Sequence, residues 1–233
     1  MILIRDNLLL KSKMKRIIII GEGQTEQEFC NDVLQPHFNQ LDIVIQTPTI
    51  KKTGGGIVSW EALKYQIVKH LKQDKSAIIT LLIDYYGIES NHKYPNWLKA
   101  QQLMLTNKYQ AIQLIQNGML ADIEEVFRVR FIPYIQLHEF EGLLFSDISV
   151  FDNNFEVNEF KDYPYLVETI KNHHNPEEVN NGVTTAPSKR LEKIINGYDK
   201  IVYGSLLADE IGLKVIRGKC PGFNSWINEL EAI

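Results

Sequence analysis

Cysteine is nearly missing from this sequence: Cys30 and Cys220 are the only two in 233 residues. Two thiols make neither a disulfide scaffold nor a cysteine-rich zinc site, and both read as small core hydrophobes. An excess of positive charge is missing too, since 25 Lys and Arg face 29 Asp and Glu for a formal net charge of −4. A phosphate-rich partner would therefore have to meet a local patch, because the surface as a whole does not attract it. No window holds the roughly 18 consecutive apolar residues of a membrane span, so no membrane association is expected. The apolar run Ile17–Ile20 is too short for a signal peptide and is followed by charge, with no small-residue cleavage site. These absences predict a cytoplasmic protein. Internal repeats and low-complexity segments are also lacking.

What is present suits one sizeable core, with 44% hydrophobic residues. Met14-Lys15-Arg16 followed by four isoleucines reads as a chain start running into a strand, so residues 1–13 are expected to be a mobile N-terminal extension. Arg16–Ile20 is a short β-branched run of the kind buried on both faces in parallel sheets, Ile43–Gln46 reads as a second strand, and Ala77–Ile83 is the strongest strand signal in the chain. Between the first two, Thr25 and Glu28 have capping-box spacing, and Phe29, Val33 and Leu34 form a helical stripe. Ser59 opens a helix over 60–72 with Leu63, Ile67, Val68 and Leu71 on one face. Alternating strands and helices predict a parallel sheet. Trp97–Glu125 reads as one or two helices broken near Asn117-Gly118, and Phe127–Leu137 as a fourth strand at an edge or bulge because of Pro133. Asn172–Thr185 reads as a surface loop, and Pro187 opens a further helix. The expectation is a single α/β domain over 14–233, with 148–233 as its helical C-terminal lobe.

Acidic residues fall just beyond the predicted strands: Glu22, Asp84, and the pair Glu139 and Glu141 beside His138. Ligands of open α/β sheets bind outside the carboxyl ends of the strands. Hard oxygen ligands gathered there suit Mg²⁺ or Mn²⁺. His138 reads either as a ligand or acid/base or as a strand-end histidine with its hydrogen bonds satisfied. Lys189 and Arg190, at a helix start, could meet a phosphate or be ordinary surface charge. Tyr85, Tyr86 and Tyr94 could stack on bases or simply pack at a strand end. The Gly54–Gly56 loop lacks Walker spacing, and Ser188 has no evident base partner.

Four segments together, Gly21-Glu22-Gly23-Gln24-Thr25-Glu26, Asp84-Tyr85-Tyr86-Gly87, His138 through Asp147, and Pro187-Ser188-Lys189-Arg190, resemble a prokaryotic Toprim-like family of unknown function. The resemblance runs from Lys15 almost to the C-terminus. It implies a four-stranded, largely parallel sheet flanked by helices, and a neighbouring gene for an AAA- or ABC-type ATPase. Toprim proteins use a Glu after the first strand and an Asp-x-Asp after the third to bind Mg²⁺ for phosphodiester chemistry. Glu22 matches the first position and Asp84 the first Asp of the second. Tyr86 stands where the second Asp belongs, and a phenol is a poor Mg²⁺ ligand that stays neutral near pH 7. Either Glu139 or Glu141 replaces that carboxylate, or the site has lost its metal. Two functions are expected in consequence: a Mg²⁺-dependent nuclease or related phosphodiester-processing subunit working with an ATPase on nucleic acid in phage or plasmid defence, or a catalytically silent module that binds and regulates the ATPase.

Overall fold

The computed structural model describes residues 14–52, 56–180 and 182–233. The extension expected over 1–13 and most of the Gly54–Gly56 loop lie outside these residues. Four strands form one all-parallel sheet in the order β2-β1-β3-β4: β1 Lys15–Gly21, β2 Ile43–Gln46, β3 Ile78–Leu82 and β4 Phe131–Ile132. The period of two explains why both faces are apolar. Ile17 and Ile19 of β1 face one core, and Ile18 and Ile20 face the other.

The first face is covered by α1 (Gln24–Phe29) and α2 (Gln35–Asn39), joined through a π-helical turn at Cys30–Leu34. The second is covered by α3 (Trp60–Gln73), α4 (Trp97–Met104) and α5 (Lys108–Asp122), followed by the short α6 (Glu125–Arg128). The C-terminal segment returns to the first face as α7 (Ile148–Asn154), α8 (Tyr163–Asn172), α9 (Pro187–Ile194), α10 (Lys200–Ile211), α11 (Leu213–Lys219) and α12 (Pro221–Glu231). Trp226 of α12 ties this layer to the sheet: its indole N–H donates to Thr80 Oγ1 at 2.9 Å, while that hydroxyl donates to Ile132 O at 2.6 Å. Cys30 and Cys220 are both buried and free.

Several boundaries differ from the sequence reading. The first helix is capped at Gly23 and not at Thr25, and the reciprocal carboxylate is Glu26, which accepts the Gly23 N–H at 2.8 Å. The break after Trp97 falls before Asn107, whose side chain caps α5 by accepting Gln110 N–H at 3.0 Å, while Gly118 stays helical. The fourth strand is shorter than 127–137, because α6 takes its beginning and Pro133 ends the ladder. The 172–185 segment is no plain surface loop, since Pro176, Glu177, Val179 and Asn180 are buried.

Candidate functional site

β1 and β3 are neighbours, and their carboxyl ends deliver Glu22 and Asp84 to the same place. The Asp84 backbone N–H donates to Glu22 Oε1 at 2.6 Å. Asp84 Oδ1 in turn accepts the Phe140 N–H at 2.8 Å. Past Pro133 the chain resumes pairing beside β3: Tyr85 N–H donates to Gln136 O and Tyr86 N–H to His138 O, both at 3.0 Å. His138 adopts a left-handed φ of 65°, a costly conformation for a non-glycine residue that turns the chain into the helical segment Phe140–Ser146. Gly87 brings the Asp84 turn against Glu22, for a Cβ there would lie 2.6 Å from Ile57 Cγ1 and 3.2 Å from Glu22 Oε1.

Two more carboxylates and one ammonium join this pair. Glu141, fully buried, lies on the first turn after His138, and Glu26 is buried on α1. Lys200, the first residue of α10, places Nζ 2.9 Å from Glu141 Oε1 and 3.9 Å from Glu26 Oε1. Its charge also acts on Glu22 and Asp84. Helix α10 reaches this position because Gly204 packs against Thr25, where a Cβ would lie 2.6 Å from Thr25 Cγ2.

Four carboxylates facing one ammonium leave negative charge uncompensated. Burial raises Glu22 from its ordinary 4.5 to about 7, with the charge of Glu26 adding to it. Burial and the neighbouring Glu22 push Asp84 well above the carboxylate range. Lys200 goes the other way: burial opposes its charge, but Glu141, Asp84 and Glu26 outweigh that and hold it protonated. Glu26 Oε1 and Glu141 Oε2 are buried without a hydrogen-bond partner, as are the hydroxyls of Tyr94 and Tyr198, which feel the charges of Glu22 and Glu141. Buried polar atoms are rarely left unpaired, so these orphans set the cluster apart from an ordinary core. The donors are hard oxygens, which fits Mg²⁺ or Mn²⁺ in kind. Among the described residues, however, no three His, Cys, Asp or Glu side chains are placed to share one ion.

The other expected residues lie around this cluster in different roles. Glu139 points to α9, where its Oε2 accepts the Ser188 N–H at 2.9 Å. His138 is buried, with Nδ1 3.2 Å from Asn180 Nδ2 and Nε2 unpartnered, and burial lowers its pKa to about 4. Lys189 pairs with Glu192 at 2.8 Å on the surface. Arg190 is buried and braces neighbouring segments, donating to Thr185 O at 2.8 Å and Thr169 Oγ1 at 3.1 Å, with its guanidinium over Tyr165. Tyr85 packs on Trp97, Tyr94 on Trp60 and Tyr86 on His138. Sequence reasoning missed Glu26 and Lys200. Glu26 had a visible signal, since it lies in the Gly-rich junction with Glu22. Lys200 had none, because only the folded chain brings α10 to the sheet.

Residues 21–231, from the end of β1 to the end of α12, match a family described as a domain of unknown function, DUF4276. The chain belongs to that family. Every residue of the acidic cluster and its lysine falls inside the matched span. Comparison of this DUF4276 chain with curated proteins and with solved structures gave no match.

Proposed function

We propose that this chain is a Toprim-type phosphodiester-processing protein, a Mg²⁺- or Mn²⁺-dependent nuclease that works with an AAA- or ABC-type ATPase in phage or plasmid defence. One observation carries the chemistry: Glu22 and Asp84, from neighbouring parallel strands, meet at the carboxyl end of the sheet in a buried, under-neutralised acidic cluster. The ATPase and the defence setting rest on the motif resemblance alone. A divalent ion held by Glu22 and Asp84 would polarise a phosphate and lower the pKa of an attacking water. The chain's own part is to fix the first two carboxylates: Asp84 through the Phe140 N–H, Glu22 through the Asp84 N–H, with Gly87 leaving no slack between them.

The test is cleavage of DNA and RNA with and without Mg²⁺ or Mn²⁺, by the chain alone and with an AAA- or ABC-type ATPase added. Glu22→Gln and Asp84→Asn should each lower metal-dependent cleavage by at least about 100-fold, as expected for removing a group central to the reaction. A second reading, the silent regulatory module, is favoured by Tyr86 at the missing Asp position and by Lys200 already serving as a cation in the cluster. It predicts ATPase binding that survives both substitutions, with no cleavage and no metal response.

A further inference from the structure

We infer that the cavity between α8 and α9 is an anion site for a sugar phosphate, with Arg190 and Lys193 as its two cations. The site shares no residue with the acidic cluster and needs no metal, so it goes beyond the nuclease reading. Arg190 is its anchor. This residue is only 5% exposed, yet no carboxylate pairs with it among the described residues. A guanidinium keeps its charge inside a protein, and a buried charge is costly unless an opposite charge meets it. The chain supplies only neutral acceptors: Nε donates to Thr185 O at 2.8 Å and Nη1 to Thr169 Oγ1 at 3.1 Å. The N–H groups of Nη2 have no partner among the described residues. Lys193, one turn further along α9, places Nζ 4.0 Å from the centre of the Tyr165 ring, the same ring that lies 5.2 Å from the Arg190 guanidinium. Its ion pair with Asp162 is long, at 3.8 Å. An aromatic face thus holds two cations side by side where carboxylates would otherwise have to.

The ligand class follows from charge and lining. Two cations balance a phosphate monoester, which carries close to two negative charges near pH 7, better than a carboxylate, which carries one. The planar Arg190 fork also matches two phosphate oxygens. The cavity holds about 430 Å³, within the roughly 300–1,000 Å³ of small-molecule sites, so it has room for more than a bare phosphate. Beyond Arg190 it is lined by Glu168, Asn172 and His173. His173 donates from Nδ1 to Thr169 O at 2.8 Å, which leaves Nε2 for a guest. Glu168 makes no ion pair with Arg190. Its carboxylate and the Asn172 amide suit the hydroxyls of a sugar, and this polar lining does not suit an apolar tail.

The full-length chain tests this by titration calorimetry, with ribose 5-phosphate as the probe and ribose as its control. Chelator in the buffer removes divalent ions, so the outcome does not depend on the metal reading. Wild type should bind the phosphate and not the plain sugar, with inorganic phosphate competing and added salt weakening the binding. Arg190→Gln should weaken it at least about tenfold, as expected for losing a charged hydrogen-bonding group. Arg190 also braces Thr185 and Thr169, so the exposed change Lys193→Met keeps the test decisive where Arg190→Gln does not fold. Lys193→Met should weaken binding by about threefold. An oligonucleotide with a terminal phosphate that displaces ribose 5-phosphate assigns the site to nucleic-acid ends, and one that does not assigns it to a free phosphorylated metabolite. Ribose binding as tight as that of its phosphate, an affinity unchanged in Lys193→Met, or no binding in wild type overturns the site.

Discussion

Glu22 has a titration the fold makes unfavourable, and that sets a sign. A carboxyl whose pKa is raised in the folded state binds its proton more tightly there than in the unfolded chain. Its contribution is most favourable when protonated and is lost as pH rises from 4.5 through about 7. His138 has the opposite effect: its folded pKa is lowered to about 4, so its contribution is present above the ordinary 6.5 and is lost as pH falls toward 4. The two slopes oppose each other in wild type, so a substitution is needed to separate them. In metal-free buffer, Glu22→Gln should gain stability relative to wild type between pH 5 and 7.5, by on the order of 2 kcal/mol in urea unfolding. A difference that stays constant with pH would mean that Glu22 is not held in a charge-averse setting. Glu22 and Asp84 were legible as candidates because each follows an isoleucine- or leucine-rich strand at a glycine-containing junction. Lys200 was illegible: its meaning comes from Glu141 and Glu26, which reach it only through tertiary packing.

The elements that frame the cluster were read unevenly, for reasons the structure makes plain. β1, β2, β3 and α3 were legible because their burial pattern is local and periodic: two-sided for β1 and β3, alternating for β2, one-sided for α3. β4 was over-read, since an apolar stretch does not reveal that Arg128–Arg130 turns before pairing and that Pro133 then interrupts it. The Thr80 hydroxyl, fully buried mid-strand, gave no hint of its function as the junction between β3, Ile132 and Trp226. Thr80→Val keeps the shape and leaves the indole N–H unpaired, so it should cost about 1–3 kcal/mol in denaturant unfolding. A change within a few tenths would show that Trp226 holds α12 in place through packing alone. Gly204 offers a second test at this scale. Gly204→Leu forces α10 away from Thr25 and carries Lys200 with it, at about 1–3 kcal/mol for overpacking. It should also raise the reactivity of Lys200 toward amine reagents, whereas unchanged reactivity would mean that α10 does not set the lysine's position.

At the scale of the whole molecule, the all-parallel sheet divides two cores, and the acidic cluster sits at its carboxyl edge, where the Asp84 turn, the Phe140–Ser146 segment, α1 and α10 meet. The strand–helix alternation made the parallel sheet predictable. The way the C-terminal helices complete the first core and supply the site's cation was not, because α10, which carries Lys200, has little one-sided periodicity and no motif points to it. No helix is long and apolar enough to cross a membrane among the described residues. The central claim is that Glu22 and Asp84 form a divalent-cation site, and thermal melting with and without Mn²⁺ tests it most directly in wild type, Glu22→Gln and Asp84→Asn. Binding to the folded state alone stabilises it by about 2.7 kcal/mol at 100 times the dissociation constant. The account predicts a clear rise in wild-type melting temperature at saturating Mn²⁺ and none in either variant. An equal rise in all three proteins, or no rise in wild type, would contradict it.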